Sequence, residues 1–150
     1  MGALKDRLHA DLTDAMRAQD ELRRATLRMV LAAIGNEEVA GAKARALTDE
    51  QELSVVVREA KKRREAAEAF RSGGATARAE RELAEQAVLA DYLPQQLTDA
   101  ELAALVGRAV TETGAQGPQA MGQVMKAVGP LVAGRAEGGR VAAAVRAALA

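Results

Sequence analysis

The sequence contains no cysteine and no tryptophan, and it has one histidine, one phenylalanine and one tyrosine among its 150 residues. Without cysteine the chain can form no disulfide framework, no thiolate nucleophile and no thiolate metal site. Aromatic side chains usually supply much of a protein core, so alanine, leucine, valine and methionine must fill the interior here. The sequence therefore predicts a core of small and aliphatic side chains whose packed elements approach closely.

An excess of one charge and long apolar runs are also missing. The 21 basic and 21 acidic residues give a formal net charge of zero, so gross charge provides no argument for nucleic-acid or membrane binding. The first residues, MGALKDRLHADL, carry charges every few positions and lack the apolar region of a signal peptide. No apolar run approaches the ~20 residues that span a bilayer. We expect a soluble, cytoplasmic protein with no membrane partner.

Apolar residues recur at helical spacing along almost the whole chain, and no stretch shows the alternation of a strand. We predict an all-α fold, with a four-helix N-terminal domain over residues 1–93, a hinge at 93–97 and a three-helix tail domain over 97–150. Two capping boxes, TDEQ at 48–51 and TDAE at 98–101, should begin the third and fifth helices, and Asp20 should cap the second. The predicted helices cover approximately residues 3–18, 21–39, 49–71, 77–92, 99–113, 118–129 and 137–149.

Glycine and proline should mark the helix ends. SGG at 72–74 and Gly114 suit the left-handed conformation that often follows a helix, and Pro94 should stop the fourth helix. Pro118 can occupy the first position of the sixth helix, where its missing N–H costs nothing. We expect Pro130 to end that helix, because proline cannot continue the hydrogen bonding.

The third helix carries the run Lys61, Lys62, Arg63 and Arg64. Its acidic neighbours stand at i,i+4 spacing, which favours a solvated face of ion pairs over a phosphate-binding patch. Arg58, Lys61 and Lys62 do share one face and form a possible second basic surface. The predicted core stripe of this helix is Leu53, Val56, Val57, Ala60, Ala67 and Phe70, and that of the fourth helix is Leu83, Ala87 and Ala90.

Three arginines, Arg23, Arg24 and Arg28, lie near the start of the second helix. Cations at this end oppose the helix dipole. Either acidic residues of a neighbouring helix compensate them or they face an anion, and the sequence leaves both interpretations open.

No arrangement typical of catalysis or cofactor binding is present. The single His9, even beside Asp6 and Asp11, is too little for zinc and is best interpreted as an exposed helix residue. GGAT and GRAEGGR lack the Gly-Lys-Ser/Thr ending of a phosphate-binding loop, and no strand precedes a glycine run. We predict no catalytic residue, no metal and no cofactor, although carboxylates or lysines could still act.

Four stretches together resemble the YqeY family. They are TLRMVLAAIGNEE (26–38), LTDEQELSVVVREAKKRREAAEAF (47–70), DYLPQQLTDAEL (91–102) and MGQVMKAV with GRAEGGRV (within 121–141). The tail is also similar to the C-terminal domain of the B subunit of the glutamine-dependent tRNA amidotransferase. The resemblance implies an all-helical protein in two parts, whose tail corresponds to a tRNA-contacting appendage. In that enzyme the reaction occurs in a separate cradle domain, and ammonia comes from another subunit. Neither is present here.

The resemblance therefore favours a module that binds tRNA or another structured RNA and is not itself catalytic. The candidate RNA-binding residues are Lys126, Arg135, Gly138, Gly139, Arg140 and Arg146. Cations would contact phosphates and 2′-hydroxyls, and glycines would let the backbone and the N-terminus of the last helix approach a phosphate.

Two alternatives remain. A protein-interaction adaptor could use Met121, Met125 and Val128 as a docking surface, although their helical spacing favours a place in the tail core. A role as an accessory to an amidotransferase, a carbon–nitrogen ligase that uses glutamine as amido donor, would be inherited from the larger enzyme.

Overall fold

The computed structural model describes residues 2–150, which form an all-α fold. Its seven α-helices are α1 (Ala3–Arg17), α2 (Glu21–Glu38), α3 (Asp49–Ser72), α4 (Thr76–Ala90), α5 (Asp99–Thr113), α6 (Met121–Val132) and α7 (Gly138–Leu149). A short 3-10 turn, Pro118–Ala120, leads into α6, with Pro118 at its first position. The described residues contain no strand and no helix both long and apolar enough to cross a bilayer.

The chain divides into two compact units, residues 1–93 and 94–150. Helices α1 to α4 belong to the first unit, whose core joins aliphatic residues of all four helices with Leu47 and Tyr92. Helices α5, α6 and α7 belong to the second unit. Its core is built from Leu97, Leu102, Val106, Ala109, Val124, Val128, Val132, Ala136, Val141, Val145 and Leu149.

The local signals at most helix ends are confirmed. Thr48 and Thr98 each accept a hydrogen bond from the backbone of the third helical residue, which returns its side chain to the cap in a capping box. Asp20 accepts from the Arg23 N–H and caps α2. After α3, Gly74 has a φ of +78°, and Ala75 N–H donates to Phe70 C=O over 2.8 Å. This is the glycine-dependent C-terminal motif that the sequence predicts.

Helix α1 obtains its N-terminal cap from α3, because Gly2 offers no side chain. Glu52 of α3 is fully buried, and its carboxylate accepts from the Gly2 N–H over 3.3 Å and from the Lys5 N–H over 3.1 Å. Asp49 accepts from the Ala3 N–H over 3.1 Å. A Cβ on Gly2 would overlap the Glu52 carboxylate, so this position requires the close approach that only glycine permits.

The predicted solvated face of α3 is wrong at Arg63. Arg63, Glu59 and Glu85 of α4 are all buried. Arg63 Nη1 is 2.9 Å from Glu59 Oε2, and its Nε is 3.5 Å from Glu85 Oε2. The spacing of the ion pair is as predicted, but α4 covers this face of α3 and removes it from water. The i,i+4 pattern is the same for exposed and covered pairs, which is why it could not distinguish them.

The predicted apolar stripe of α4 is also wrong. Leu83, Ala87 and Ala90 are exposed, whereas Ala79, Glu85 and Leu89 are buried. The inward face of α4 includes a glutamate because Arg63 compensates its charge, and a pattern based on apolar residues alone therefore chooses the wrong side.

Pro130 does not end α6, contrary to the prediction. The helix continues to Val132, which is buried, and ends at Ala133, whose φ is +35°. Proline removes one hydrogen bond, to Lys126 C=O, but its fixed φ is compatible with a final helical turn. The chain then reverses at Ala133 and Gly134, both with positive φ.

Candidate nucleic-acid interface

Four hydrogen bonds connect the segment before α5 to the loop between α6 and α7 and to the first turn of α7. Leu97 N–H donates to Arg135 C=O over 2.7 Å, and Gln96 Nε2 donates to Gly134 C=O over 2.9 Å. Arg135 Nε lies 3.5 Å from Gln95 C=O, the longest contact of the set. The fourth bond comes from Arg140, whose Nη2 donates to Leu97 C=O over 2.9 Å. Two of the predicted RNA-binding arginines therefore lie on one framework inside the second unit.

The Arg140 guanidinium already makes hydrogen bonds within the protein. Its Nη2 also donates to Asp99 Oδ1 over 2.8 Å, while the Asp99 side chain is almost fully exposed. The guanidinium thus connects the first turn of α7 to the start of α5. A phosphate contact by Arg140 would have to compete with these bonds.

Arg135 and Glu101 interact across the same framework. Glu101 completes the capping box of α5 by accepting from the Thr98 N–H over 3.0 Å. Hydrogen bonds from Thr98 lower the pKa of Glu101, and the positive charge of Arg135 lowers it further. Glu101 is therefore a carboxylate at neutral pH, and it offsets part of the charge of Arg135.

A groove of about 270 Å³ is lined by Leu97, Glu101, Ala104, Leu105, Arg108 and Arg135. Arg108 and Ala104 are exposed, and Leu105 is half-buried at the edge of the core. Sequence reasoning missed Arg108. The signal was the spacing of residues 101, 104, 105 and 108, which lie on one side of α5.

Gly138 and Gly139 begin α7 and are both exposed. The cap of α7 is Glu137, and its Oε1 lies 3.1 Å from the position of a Cβ on Gly139. A carboxylate therefore already stands at the positive end of the α7 dipole. This arrangement disfavours the predicted phosphate contact at the N-terminus of α7.

Lys126 of α6 and Arg146 in the last turn of α7 are exposed. Within residues 2–150, neither has an acidic group at ion-pair distance, and neither contacts the framework of Arg135 and Arg140. Met121 and Met125 of α6 are half-buried and pack against the core of this unit, as their spacing indicates.

The second basic face differs from these residues because each of its cations has an acidic partner. Arg58 Nη2 is 3.3 Å from Glu37 Oε2, Lys61 Nζ is 3.8 Å from Glu65 Oε1, and Lys62 Nζ is 3.7 Å from Glu59 Oε1. An anion on this surface would have to replace existing partners.

Arg23 and Arg28 at the start of α2 each have a partner within the first unit. The Tyr92 hydroxyl donates to Asp11 Oδ2 over 2.6 Å, and a hydrogen bond to Tyr92 raises the pKa of Arg23. Arg23 therefore belongs to a polar cluster of the first unit. Arg28 Nη2 lies 3.9 Å from Met16 Sδ on the surface.

The other candidate metal ligands are His9 and the acidic side chains. His9 is exposed on α1, as the sequence indicates. No group of three or more histidine, aspartate or glutamate side chains in the described part of the chain could hold a metal ion.

Fold and site together define an all-α protein whose second unit carries exposed cations without acidic partners. A comparison with protein-family models identifies the family. The chain belongs to the YqeY family, because the family described as "Yqey-like protein" matches residues 5–149, nearly its whole length. A comparison with curated proteins finds no match to the chain.

Proposed function

We propose that this protein binds a structured RNA such as tRNA through the cations of residues 94–150 and does not catalyse a reaction on it. The observation that carries the proposal is the different pairing of the two sets of candidate cations. Arg58, Lys61 and Lys62 of the first unit all have acidic partners. Among the candidate cations of the second unit, only Arg140 lies within ion-pair distance of a described acidic residue.

The positions of three of the four acidic residues of the second unit support the same conclusion. Asp99 and Glu101 lie in the first turn of α5, and Glu137 is the cap of α7. Carboxylates at these positions offset the positive ends of the helix dipoles. They leave Lys126 on α6 and Arg146 at the end of α7 available for phosphate. Arg135 contributes as well, although Glu101 reduces its effective charge.

A few phosphate contacts give weak binding, and its salt dependence scales with their number. The resemblance of the tail to a tRNA-contacting domain makes tRNA the first RNA to test. The adaptor alternative receives less support, because Met121 and Met125 pack against the core of their unit.

The test is fluorescence anisotropy of labelled tRNA between 50 and 200 mM salt, with the wild-type protein and two matched triple variants. The first is Lys126→Gln/Arg135→Gln/Arg146→Gln, and the control is Arg58→Gln/Lys61→Gln/Lys62→Gln. Both remove three positive charges. We expect the first variant to lower the slope of log K against log salt by about one for each lost phosphate contact, and the control to retain the wild-type slope. Equal slopes for all three proteins, or no binding by the wild type, would overturn the proposal.

A further inference from the structure

We propose that the groove between Leu97, α5 and Arg135 holds one unstacked nucleotide from a single-stranded segment of the bound RNA. This inference rests on the proposed function and gives it a definite ligand class. The groove is lined by Leu97, Glu101, Ala104, Leu105, Arg108 and Arg135. Apolar, cationic and acidic groups therefore surround a space about as large as one nucleotide.

The apolar wall fits the face of a base. Leu97 is buried and lines the groove, while Ala104 and Leu105 present aliphatic surface along α5. Unpaired bases of RNA are commonly bound by packing against side chains and arginine planes. The groove contains no aromatic residue, so Arg108 and Arg135 are the planar groups available for stacking in it.

The two arginines also fit the phosphate of the same nucleotide. A guanidinium matches phosphate geometry through paired N–H donors, and none of the described acidic residues forms an ion pair with Arg108. Glu101 keeps its charge, and one of its oxygens is bound to the Thr98 N–H. Its other oxygen can accept from an exocyclic amino group, as acidic side chains do from cytosine N4.

Size and rigidity favour a single nucleotide over a larger partner. The volume of about 270 Å³ lies just below the usual range of about 300–1,000 Å³ for pockets that enclose a whole small molecule. The walls are held by hydrogen bonds from Leu97 N–H to Arg135 C=O and from Gln96 Nε2 to Gly134 C=O. The groove is therefore formed before the ligand arrives, which lowers the entropic cost of binding.

The experiment compares two labelled RNA hairpins, one blunt and one with a four-nucleotide single-stranded 3′ extension. We expect the wild-type protein to bind the extended hairpin about five- to tenfold more tightly, because packing of one base against an arginine plane should be worth roughly 1 kcal/mol, the lower end of the range for stacking on aromatic side chains. Ala104→Glu places a second carboxylate in the groove at an exposed position and should abolish this preference. Ala103→Glu adds the same charge on α5 at an exposed residue that does not line the groove, and should retain it.

Three outcomes would count against the groove. Equal affinity of the wild-type protein for both hairpins overturns the groove but leaves RNA binding intact. No binding of either hairpin overturns RNA binding, and the groove with it. The free protein is also examined by sedimentation velocity. A change in sedimentation with Ala104→Glu but not Ala103→Glu, without a change in hairpin preference, would assign the groove to a second copy of the chain.

Discussion

Replacing Arg63 should destabilise the first unit far more than replacing a neighbouring surface cation. The Arg63 guanidinium lies between two buried carboxylates, 2.9 Å from Glu59 and 3.5 Å from Glu85. Removing one partner of a buried pair costs about 3–5 kcal/mol, because the other charge stays buried without compensation. Lys62 remains 3.7 Å from Glu59 and Arg81 remains 3.2 Å from Glu85. We therefore expect Arg63→Met to cost about 3 kcal/mol, the lower end of that range.

The assay is urea unfolding monitored by tyrosine fluorescence. Tyr92 is the only tyrosine and the chain has no tryptophan, so the signal comes from a side chain in the core of the first unit. The matched control is Lys61→Met on the same helix. The Lys61–Glu65 pair is 3.8 Å long and more than half exposed, so its loss should cost less than about 1 kcal/mol.

A third variant separates buried charge from lost packing. Removing all three charges with Glu59→Leu, Arg63→Met and Glu85→Leu should return the free energy of unfolding to within about 1–2 kcal/mol of the wild type, because replacing a buried ion pair by apolar residues is often neutral. The reasoning fails if Arg63→Met and Lys61→Met lower the free energy of unfolding equally. It also fails if the triple variant is less stable than Arg63→Met.

Three further predictions concern pH, close approach and backbone strain. Burial and the Asp11 carboxylate raise the pKa of Tyr92 from 10.0 to about 12, so the folded unit holds this proton more tightly than the unfolded chain. Its stabilising contribution should be complete below pH 10 and fall by up to about 1.4 kcal/mol per pH unit between pH 10 and 12, which tyrosinate absorbance and the difference from Tyr92→Phe will check. Gly2→Ala should displace Glu52 from the start of α1 and lower the free energy of unfolding in urea by about 0.5–2 kcal/mol. The control is Gly35→Ala, whose added Cβ meets nothing within 4 Å and which should stabilise α2 by about 0.5–1 kcal/mol. Equal effects of the two substitutions would contradict the capping argument. Ala133→Gly relieves a positive φ and should slow hydrogen exchange in the last turn of α6, an effect of up to about 1 kcal/mol.

The helices and most of their ends could be predicted because their signals are local. Thr48 and Thr98 each carry their capping partner three residues away, and Gly114 follows α5 with a φ of +67°. Such features depend on neighbouring residues and need no knowledge of the packing. The prediction that Pro130 ends α6 was wrong because a proline disrupts a helix less in its final turn, where only one hydrogen bond is lost.

Features that depend on which helices meet could not be predicted. Arg63 and Glu85 are buried because they face each other, and neither has a sequence neighbour that indicates this. Glu52 is a fully buried acid because it caps α1, whose N-terminal cap residue Gly2 stands 50 positions earlier in the chain. These charged positions add Arg63 to the buried face of α3 and place the buried face of α4 on a different side from its predicted apolar stripe.

The candidate interface was predicted in composition but not in arrangement. Arg135 and Arg140 do lie together, yet Arg140 is bound to Leu97 and Asp99. Arg108 is the only basic residue of α5, so no cluster of basic residues in the sequence indicated it. Its place beside Arg135 follows from the tertiary fold of the second unit.

The cap that α3 provides to α1 has a consequence during synthesis. The Gly2 and Lys5 N–H groups find their acceptor 50 and 47 residues later in the chain. Until Glu52 has left the ribosome and α3 has formed, the first turn of α1 has only water as a partner for these donors. A chain elongating at about 5–20 residues per second therefore spends several seconds with the beginning of α1 frayed. Its first helix is completed only when its third is in place.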